Sequence, residues 1–399
     1  MRRLMWVGDA AVDSGFARAT EHTVAALVKD WNVHVLGINY RGDPHPFRTM
    51  LEKAGGQIYP AYVPGGDLFG VARIIPKCQE IQPDVVVLQN DPWNIPRYLE
   101  RLRAFKDYNP TVIGALAVDG KNLRGEEYLN GLDHAIFWTQ FALDEARAGG
   151  FTKPADVVPL GVDLNIYHPG DRQAARTAIG WPEEIPRDAF VFVNVNRNQP
   201  RKRLDLTLEY FAEFYHSCKA DNAYLYLHVA PTGDTGYDCS QLTKYYGLRG
   251  HVIMVDPGAF QGATETELAN TYRACDALIT TSQGEGWGLT TLEAMACGLS
   301  CVFGDWAALG DWAKPGGIAV PCDHHAVTPN GRCNVVGAIP AKNDFVRALE
   351  LLYNSQAARE YYSKKALEVA QHPRYRWENI GKSFADVVAR AYDSCALGV

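Results

Sequence analysis

The chain has 399 residues, of which 47% are hydrophobic and 21% charged, with a formal net charge of −7. That composition describes packed globular domains and excludes a disordered chain. A negative balance gives no general attraction to nucleic acid or anionic membrane, although a local basic patch escapes such a sum.

The opening MRRLMWVGDAAVDSG carries two arginines, but its apolar run is too short for a signal peptide and is broken by Asp9. No stretch approaches the roughly 20 apolar residues of a membrane span. Nine cysteines are scattered from Cys78 to Cys395 without a C-x-x-C pair. They read as reduced thiols, and a cytoplasmic protein is expected. In the first half RLMWVG (3–8), VHVLGI (33–38), DVVVLQ (84–89), TVIGALAV (111–118) and HAIFWT (134–139) read as buried strands separated by amphipathic segments. This alternation predicts a parallel sheet covered on both faces. PLGVDLNIYHPGDRQ (159–173) is rich in Pro, Gly and Asp and reads as a linker, with a domain boundary near residue 168. A second series follows: FVFVNVN (190–196), YLYLHVA (224–230), HVIMV (251–255), ALITTS (277–282) and SCVFG (300–304). The expected fold class is α/β, with two doubly wound parallel-sheet domains. Ligands of such sheets bind outside the carboxyl ends of the strands, so the cleft between the domains is the expected site.

SQGEGWGLTTLEAMACG (282–298) sets Glu285 and Glu293 eight positions apart. Gly284, Gly286 and Gly288 lie in a loop that leads into a helix near Thr290. The glycines permit tight turns and close backbone approach. The helix start offers free N–H groups and roughly +0.5 charge, which suits a phosphate. Two carboxylates beside it can hold hydroxyls, so the pattern predicts a sugar nucleotide with one acid on each sugar. A plainer reading stands beside this one: TTLE (290–293) also fits a capping box with Thr290 as N-cap and Glu293 at N3. In NVNRNQPRKRLDL (194–206), Arg197 and Lys202 sit five apart at the end of the second domain's first strand. An arginine grips phosphate oxygens bidentately and a lysine adds a point charge. A solvated basic turn or a nucleic-acid patch is the alternative. Position favours phosphate, because the cluster shares a domain and a sheet end with the acid pair.

At these residues the chain resembles the retaining GT-B glycosyltransferases of family four, over nearly its whole length. EGWGLTTLEAMACG resembles the family's two-glutamate motif, and RNQPRK its arginine–lysine phosphate motif. PLGVDLNIYHP resembles its linker, with Leu160 in place of Asn and Tyr167 in place of Phe. DSGFARATEHTVAAL (13–27) resembles its first Gly loop and helix, and YRWENIG (375–381) its closing segment. The resemblance implies two Rossmann-like domains facing across a cleft, over 1–168 and 169–374, with 375–399 packing back on the first. It implies that Arg197 and Lys202 bind the donor diphosphate near Gly15, that Glu285 holds the transferred sugar, and that Glu293 holds the ribose. Gly286, Trp287, Gly288, Leu289 and Thr290 would supply loop and backbone contacts. Where many members carry a histidine, LAVDGKN puts Asp119. Its carboxylate would orient the acceptor hydroxyl or stabilise charge at the anomeric carbon; otherwise it is a turn residue in DGKN. The implied reaction is transfer with retention from a nucleotide-sugar co-substrate, UDP before GDP, without a metal or a further cofactor.

The acceptor should meet the first domain. LQNDPWNIPRYLERLRAFK (88–106) offers Asp91 and Trp93 at a strand end, where a sugar or base could stack. The helix after them sets Ile95, Leu99, Leu102 and Phe105 on one face, with Arg97, Arg101, Arg103 and Lys106 elsewhere. A basic amphipathic helix can sit on an anionic membrane, but a core-facing stripe is the commoner use. Asp9, Asp13, His22 and His45 are unranked polar residues in or near the first Gly loop. CDHHAVTPNGRC (322–333) fits no zinc motif and reads as a loop. The acceptor hydroxyl could belong to a glycan, a lipid, a protein or a modified DNA base. Nucleic acid enters only as acceptor, and peripheral membrane contact stays open. The alternatives are a GT-B sugar-nucleotide epimerase or phosphorylase, a nicotinamide oxidoreductase, and a sugar-binding protein without turnover. A phosphorylase would normally need a pyridoxal lysine, of which there is no sign. GDAAVDSG lacks the G-x-G-x-x-G of a nicotinamide site, and retention of both acids and both cations speaks against a mere binder.

Overall fold

Short runs of β-branched and other apolar residues, buried on both faces, make the strands of two parallel sheets. The computed structural model describes residues 1–64, 66–105, 108–229, 236–255, 263–330 and 333–397. Among them the first sheet holds β1 (Arg3–Asp9), β2 (Asn32–Ile38), β3 (Gln57–Pro60), β4 (Val85–Asn90), β5 (Thr111–Leu116), β6 (His134–Phe137) and β7 (Ala155–Val157). Their order is β3-β2-β1-β4-β5-β6-β7. The second sheet holds β8 (Phe190–Val195), β9 (Ala223–His228), β10 (Val252–Val255), β11 (Ala277–Ile279), β12 (Ser300–Gly304) and β13 (Ile318–Val320), in the order β10-β9-β8-β11-β12-β13. Both orders reverse once, between β1 and β4 and between β8 and β11. Such a switch point opens a crevice at the carboxyl ends of the strands. The strands absent from the sequence reading, β3, β7 and β13, are three or four residues long and too short to show a pattern.

Helix α1 (Gly15–Leu27) starts where the Ser14 hydroxyl accepts the Ala17 N–H at 3.0 Å. It buries Ala17, Thr20, Val24 and Leu27. Helix α2 (Ile95–Ala104) turns Ile95, Tyr98, Leu99 and Leu102 inward. Two of its basic residues are used locally: Arg103 binds the Gly131 carbonyl and Asp133, and Arg97 lies over the Phe69 ring. The core-facing reading of this helix is the observed one; Phe105 follows it, and Lys106 lies outside the described residues. In the second half, α3 (Leu204–Cys218), α4 (Glu265–Ala274) and α5 (Leu289–Ala296) cover the sheet. The last helix, α6 (Trp377–Leu397), returns to the first sheet. Its Ile380, Phe384, Val387 and Val388 join Leu4, Trp6 and Val24 in one core cluster. Gly381 allows the crossing, because a Cβ there would lie 2.5 Å from the Ala26 methyl on α1. No helix among the described residues is long and apolar enough to cross a membrane.

Of residues 322–333, read above as a loop, 322–330 and 333 belong instead to an antiparallel hairpin, β14 (Cys322–Asn330) and β15 (Cys333–Pro340), while 331 and 332 lie outside the described residues. The alternation that builds β15 is weak in sequence, and its partner surface is on the other domain. Lys121 and Val336 exchange backbone hydrogen bonds of 2.8 and 3.0 Å. Asn122 donates to the Asn334 carbonyl at 2.7 Å, and Cys333 and Val335 enter the first domain's core. The hairpin therefore ties the second domain to the loop that carries Asp119.

Candidate active site in the cleft

The loop 282–288 ends β11 and runs buried into the start of α5. Its glycines make room for the first domain. A Cβ on Gly284 would stand 1.8 Å from the Asp119 carbonyl oxygen, and one on Gly286 would stand 2.7 Å from the Ala117 methyl. Gly288 holds a φ of 91° and forms the N-cap of α5 without a side-chain cap bond. That geometry removes the capping-box reading. Thr290 lies inside the helix, and Glu293 faces the domain junction instead of the helix start.

Glu285 is almost wholly buried. Lys202 Nζ donates to both of its oxygens, at 2.5 and 2.7 Å. Arg201 Nη1 approaches it at 3.4 Å and donates to the Gly284 carbonyl at 3.0 Å. The same guanidinium reaches across the cleft, with Nε 3.2 Å from Asp119 Oδ2. Burial alone would raise the Glu285 carboxyl, but the charges of Lys202 and Arg201 outweigh it and hold it below the usual carboxylate range. Lys202 is pushed down by burial and by Arg201 beside it. Two cations, two acids and two domains thus meet at one point.

Glu293 is buried and doubly held. Arg18 of α1 forms an ion pair with Oε1, and the Tyr272 hydroxyl of α4 donates to Oε2 at 2.8 Å. Arg18 also donates to the Tyr167 hydroxyl at 3.3 Å. The second glutamate of the motif is therefore reached by a cation from the opposite domain. Carboxylates accept in about four directions, so positions remain on it for hydroxyl donors.

Asp9, Asp91 and Asp119 stand at or just after the ends of β1, β4 and β5, three neighbouring strands at the first switch point. Asp9 accepts from Ser14 at 2.9 Å and from Asn39 at 3.2 Å, and it feels the charge of Arg197 from the other domain. Asp91 is raised to about 7, first by burial and then by the Asp119 charge, with Arg201 opposing. Trp93 packs partly on the first domain's core. Gly15 opens α1 and faces Leu289, 3.3 Å from where its Cβ would be. Trp287 points its indole inward, stacked on Trp312 at 4.8 Å, so it offers the cleft only backbone. Among the residues left unranked above, His22 stacks on Trp377 of α6 and His45 accepts the Phe47 N–H. Burial lowers His22 to about 4. Asp13 is exposed. No group of three or more His, Cys, Asp or Glu among the described residues could hold a metal ion.

Three residues of this site escaped the sequence. Arg201 sits beside Lys202 in the basic run RKR, of which the motif picks out Lys202 alone. Arg18 lies within DSGFARATEHTVAAL but nothing there singles it out, and Tyr272 carries no motif, because their shared partner Glu293 comes from a distant segment.

A family model for glycosyl transferases group 1 matches residues 175–369. Among curated relatives, D-inositol 3-phosphate glycosyltransferase 2 of Catenulispora acidiphila is 29% identical over 234 residues, 58% of this chain and 50% of that protein. A D-inositol 3-phosphate glycosyltransferase of Geodermatophilus obscurus is 38% identical over 167 residues, 40% of this chain and 36% of that protein. The chain thus spans half or less of the length of these relatives. A sucrose-phosphate synthase from Thermosynechococcus elongatus superimposes with a TM-score of 0.73 at 16% identity, over 99% of this chain and 100% of that one. Anabaena HepE in complex with UDP and glucose gives 0.69 at 15% identity, over 98% and 100%. At such identities the structural likeness shows the fold. The segment 175–369 is thus similar to the glycosyl transferases group 1, and the two parallel sheets facing across their switch points give the whole chain the GT-B fold.

Proposed function

We propose that the chain transfers a sugar from a nucleoside diphosphate sugar to an acceptor hydroxyl, with retention at the anomeric carbon. The observation that carries this reading is the Lys202–Glu285–Arg201–Asp119 network, which joins the carboxyl ends of both sheets at one point. In this reading the diphosphate lies at the start of α5, beside Gly15, where Arg197 and Lys202 neutralise it. Glu285 accepts from hydroxyls of the transferred sugar, and Glu293 accepts from the ribose. The acceptor enters over the ends of β4 and β5, past Asp91 and Trp93. The bond from the anomeric carbon to the phosphate oxygen breaks, the bond to the acceptor oxygen forms on the same face, and the leaving phosphate takes the acceptor proton. Asp119 faces the anomeric carbon and offsets its developing positive charge. Catalysis then comes from positioning and preorganised charge.

UDP is the first choice of nucleotide and GDP the second. The complex of Anabaena HepE with UDP and glucose supports that order. The names of the curated relatives suggest a cyclitol phosphate as acceptor. Asp9, Asp91 and Asp119 would repel a phosphate at the acceptor end, so a neutral polyol fits these residues better. Nine free thiols support a cytoplasmic location.

A thermal-shift screen of UDP, GDP and ADP with their common sugar conjugates tests the donor. A ligand at about 100 times its Kd adds roughly 2.7 kcal/mol. Stabilisation by one nucleotide family, lost in Arg197→Ala, is the expected result. Absence of any shift, together with no donor hydrolysis, would sink the reading.

A further inference from the structure

His228 is the last residue of β9, opposite Val195 at the end of β8 and Val255 at the end of β10. It stands at the carboxyl edge of the second sheet, the edge at which the cations and acids of the cleft gather. Only 8% of it is exposed, and its Nδ1 is buried with no hydrogen-bond partner among the described residues. Burial lowers its pKa against the charge of Glu267, so the ring is neutral, with one donor and one acceptor nitrogen. A buried polar atom left unpaired is rare in a folded chain and calls for a cause.

Its surroundings supply one. Glu267 lies in the first turn of α4, and Tyr272, further along the same helix, holds Glu293. Helix α4 therefore runs between His228 and the acid assigned to the ribose. Glu265, also in that first turn, feels the charges of both Arg18 and Glu293. A nucleotide with its diphosphate at α5 and its ribose on Glu293 must carry its base away from the phosphates. The first turn of α4 adjoins both places, since Glu265 feels Glu293 and Glu267 acts on His228 at the end of β9. A heterocycle there meets one buried side-chain atom with an unused hydrogen bond.

We infer that His228 reads the base of the donor nucleotide, with Nδ1 pairing to the polar edge of the heterocycle. The inference rests on the donor-site reading above and adds the residue that selects among nucleotides. Loss of one such hydrogen bond corresponds to about tenfold in affinity.

Isothermal titration of the whole chain with UDP, GDP, ADP and inorganic diphosphate tests it. His228→Ala should weaken the preferred nucleoside diphosphate about tenfold, narrow the preference among the three bases, and leave inorganic diphosphate unchanged. His228→Asn, whose amide can occupy the place of Nδ1, should recover most of the loss. Unchanged nucleotide affinity in His228→Ala would overturn the inference and leave the donor site standing. So would an equal loss for inorganic diphosphate, which marks a role in the fold alone. A wild-type chain that binds no nucleoside diphosphate better than diphosphate would overturn both.

Discussion

Glu285 lies between Lys202 and Arg201, so its shape and its charge must be tested apart. Truncation to Ala would leave two buried cations facing each other, a change known to cost several kcal/mol of stability by itself. Glu285→Gln keeps the outline and removes the charge. It should lower the rate of transfer by roughly a hundredfold while changing nucleoside diphosphate affinity little, as expected of a contact made to the reacting sugar. Steady-state kinetics beside titration would show it; an equal loss in both would assign Glu285 to nucleotide binding. Asp91 makes a different prediction. Its folded pKa is raised to about 7 by burial and by Asp119. The folded state therefore holds the proton more tightly than the unfolded one. That contribution is favourable below the unfolded pKa of about 4 and is lost as pH rises toward 7. Asp91→Asn should raise Tm by about 1–3 °C near pH 8 and leave it unchanged near pH 4. An equal effect at both pH values would show that the carboxylate is not strained. Among the residues themselves, Glu285, Glu293, Arg197, Lys202 and Asp119 were legible as chemistry because each sits in a short motif. Their partners were not, since Arg18 and Tyr272 are far from Glu293 in the chain.

At the level of elements, the loop 282–288 and the hairpin β14–β15 hold the Asp119 loop from two sides. Gly284 lies against the Asp119 carbonyl, and Val336 binds Lys121. Both contacts are to backbone, which cannot rotate away. Gly284→Ala should force the loops apart, with a loss of about 1–3 kcal/mol in stability and a fall in transfer through Asp119. Denaturant unfolding and a turnover assay would read both effects, and an unchanged midpoint would contradict the close approach. The hairpin also shows where periodicity fails. Its strands pair chiefly with each other, and part of its apolar side is buried by the first domain. The residues Asp323, His324 and His325 are exposed, which hid the strand behind a polar segment. The buried strands of the two sheets posed no such problem, because both of their faces are covered and they read as continuous apolar runs.

For the whole molecule, the ion pair between Arg18 of α1 and Glu293 of α5 joins the two sheets' domains at the proposed ribose position. Burial opposes the charge on Arg18, and Glu293 more than restores it. Arg18→Ala should cost about 3 kcal/mol, as expected when one partner of a buried pair is removed. It should also loosen the cleft, seen as a larger radius of gyration in small-angle scattering that contracts when UDP is added. Unaltered scattering and stability would show that the hairpin and α6 alone set the closure. The sequence by itself determined the two parallel sheets, the cleft at their carboxyl ends and the acid and basic motifs beside it. Those follow from local patterns: apolar runs, glycine loops and charges at short spacing. Only the tertiary structure decided which charge meets which. It paired Glu285 with Lys202 and Arg201, and Glu293 with Arg18. It set three aspartates side by side and turned a polar segment into a hairpin across the domains. Such pairings depend on long-range packing, which short spacings in a chain do not encode.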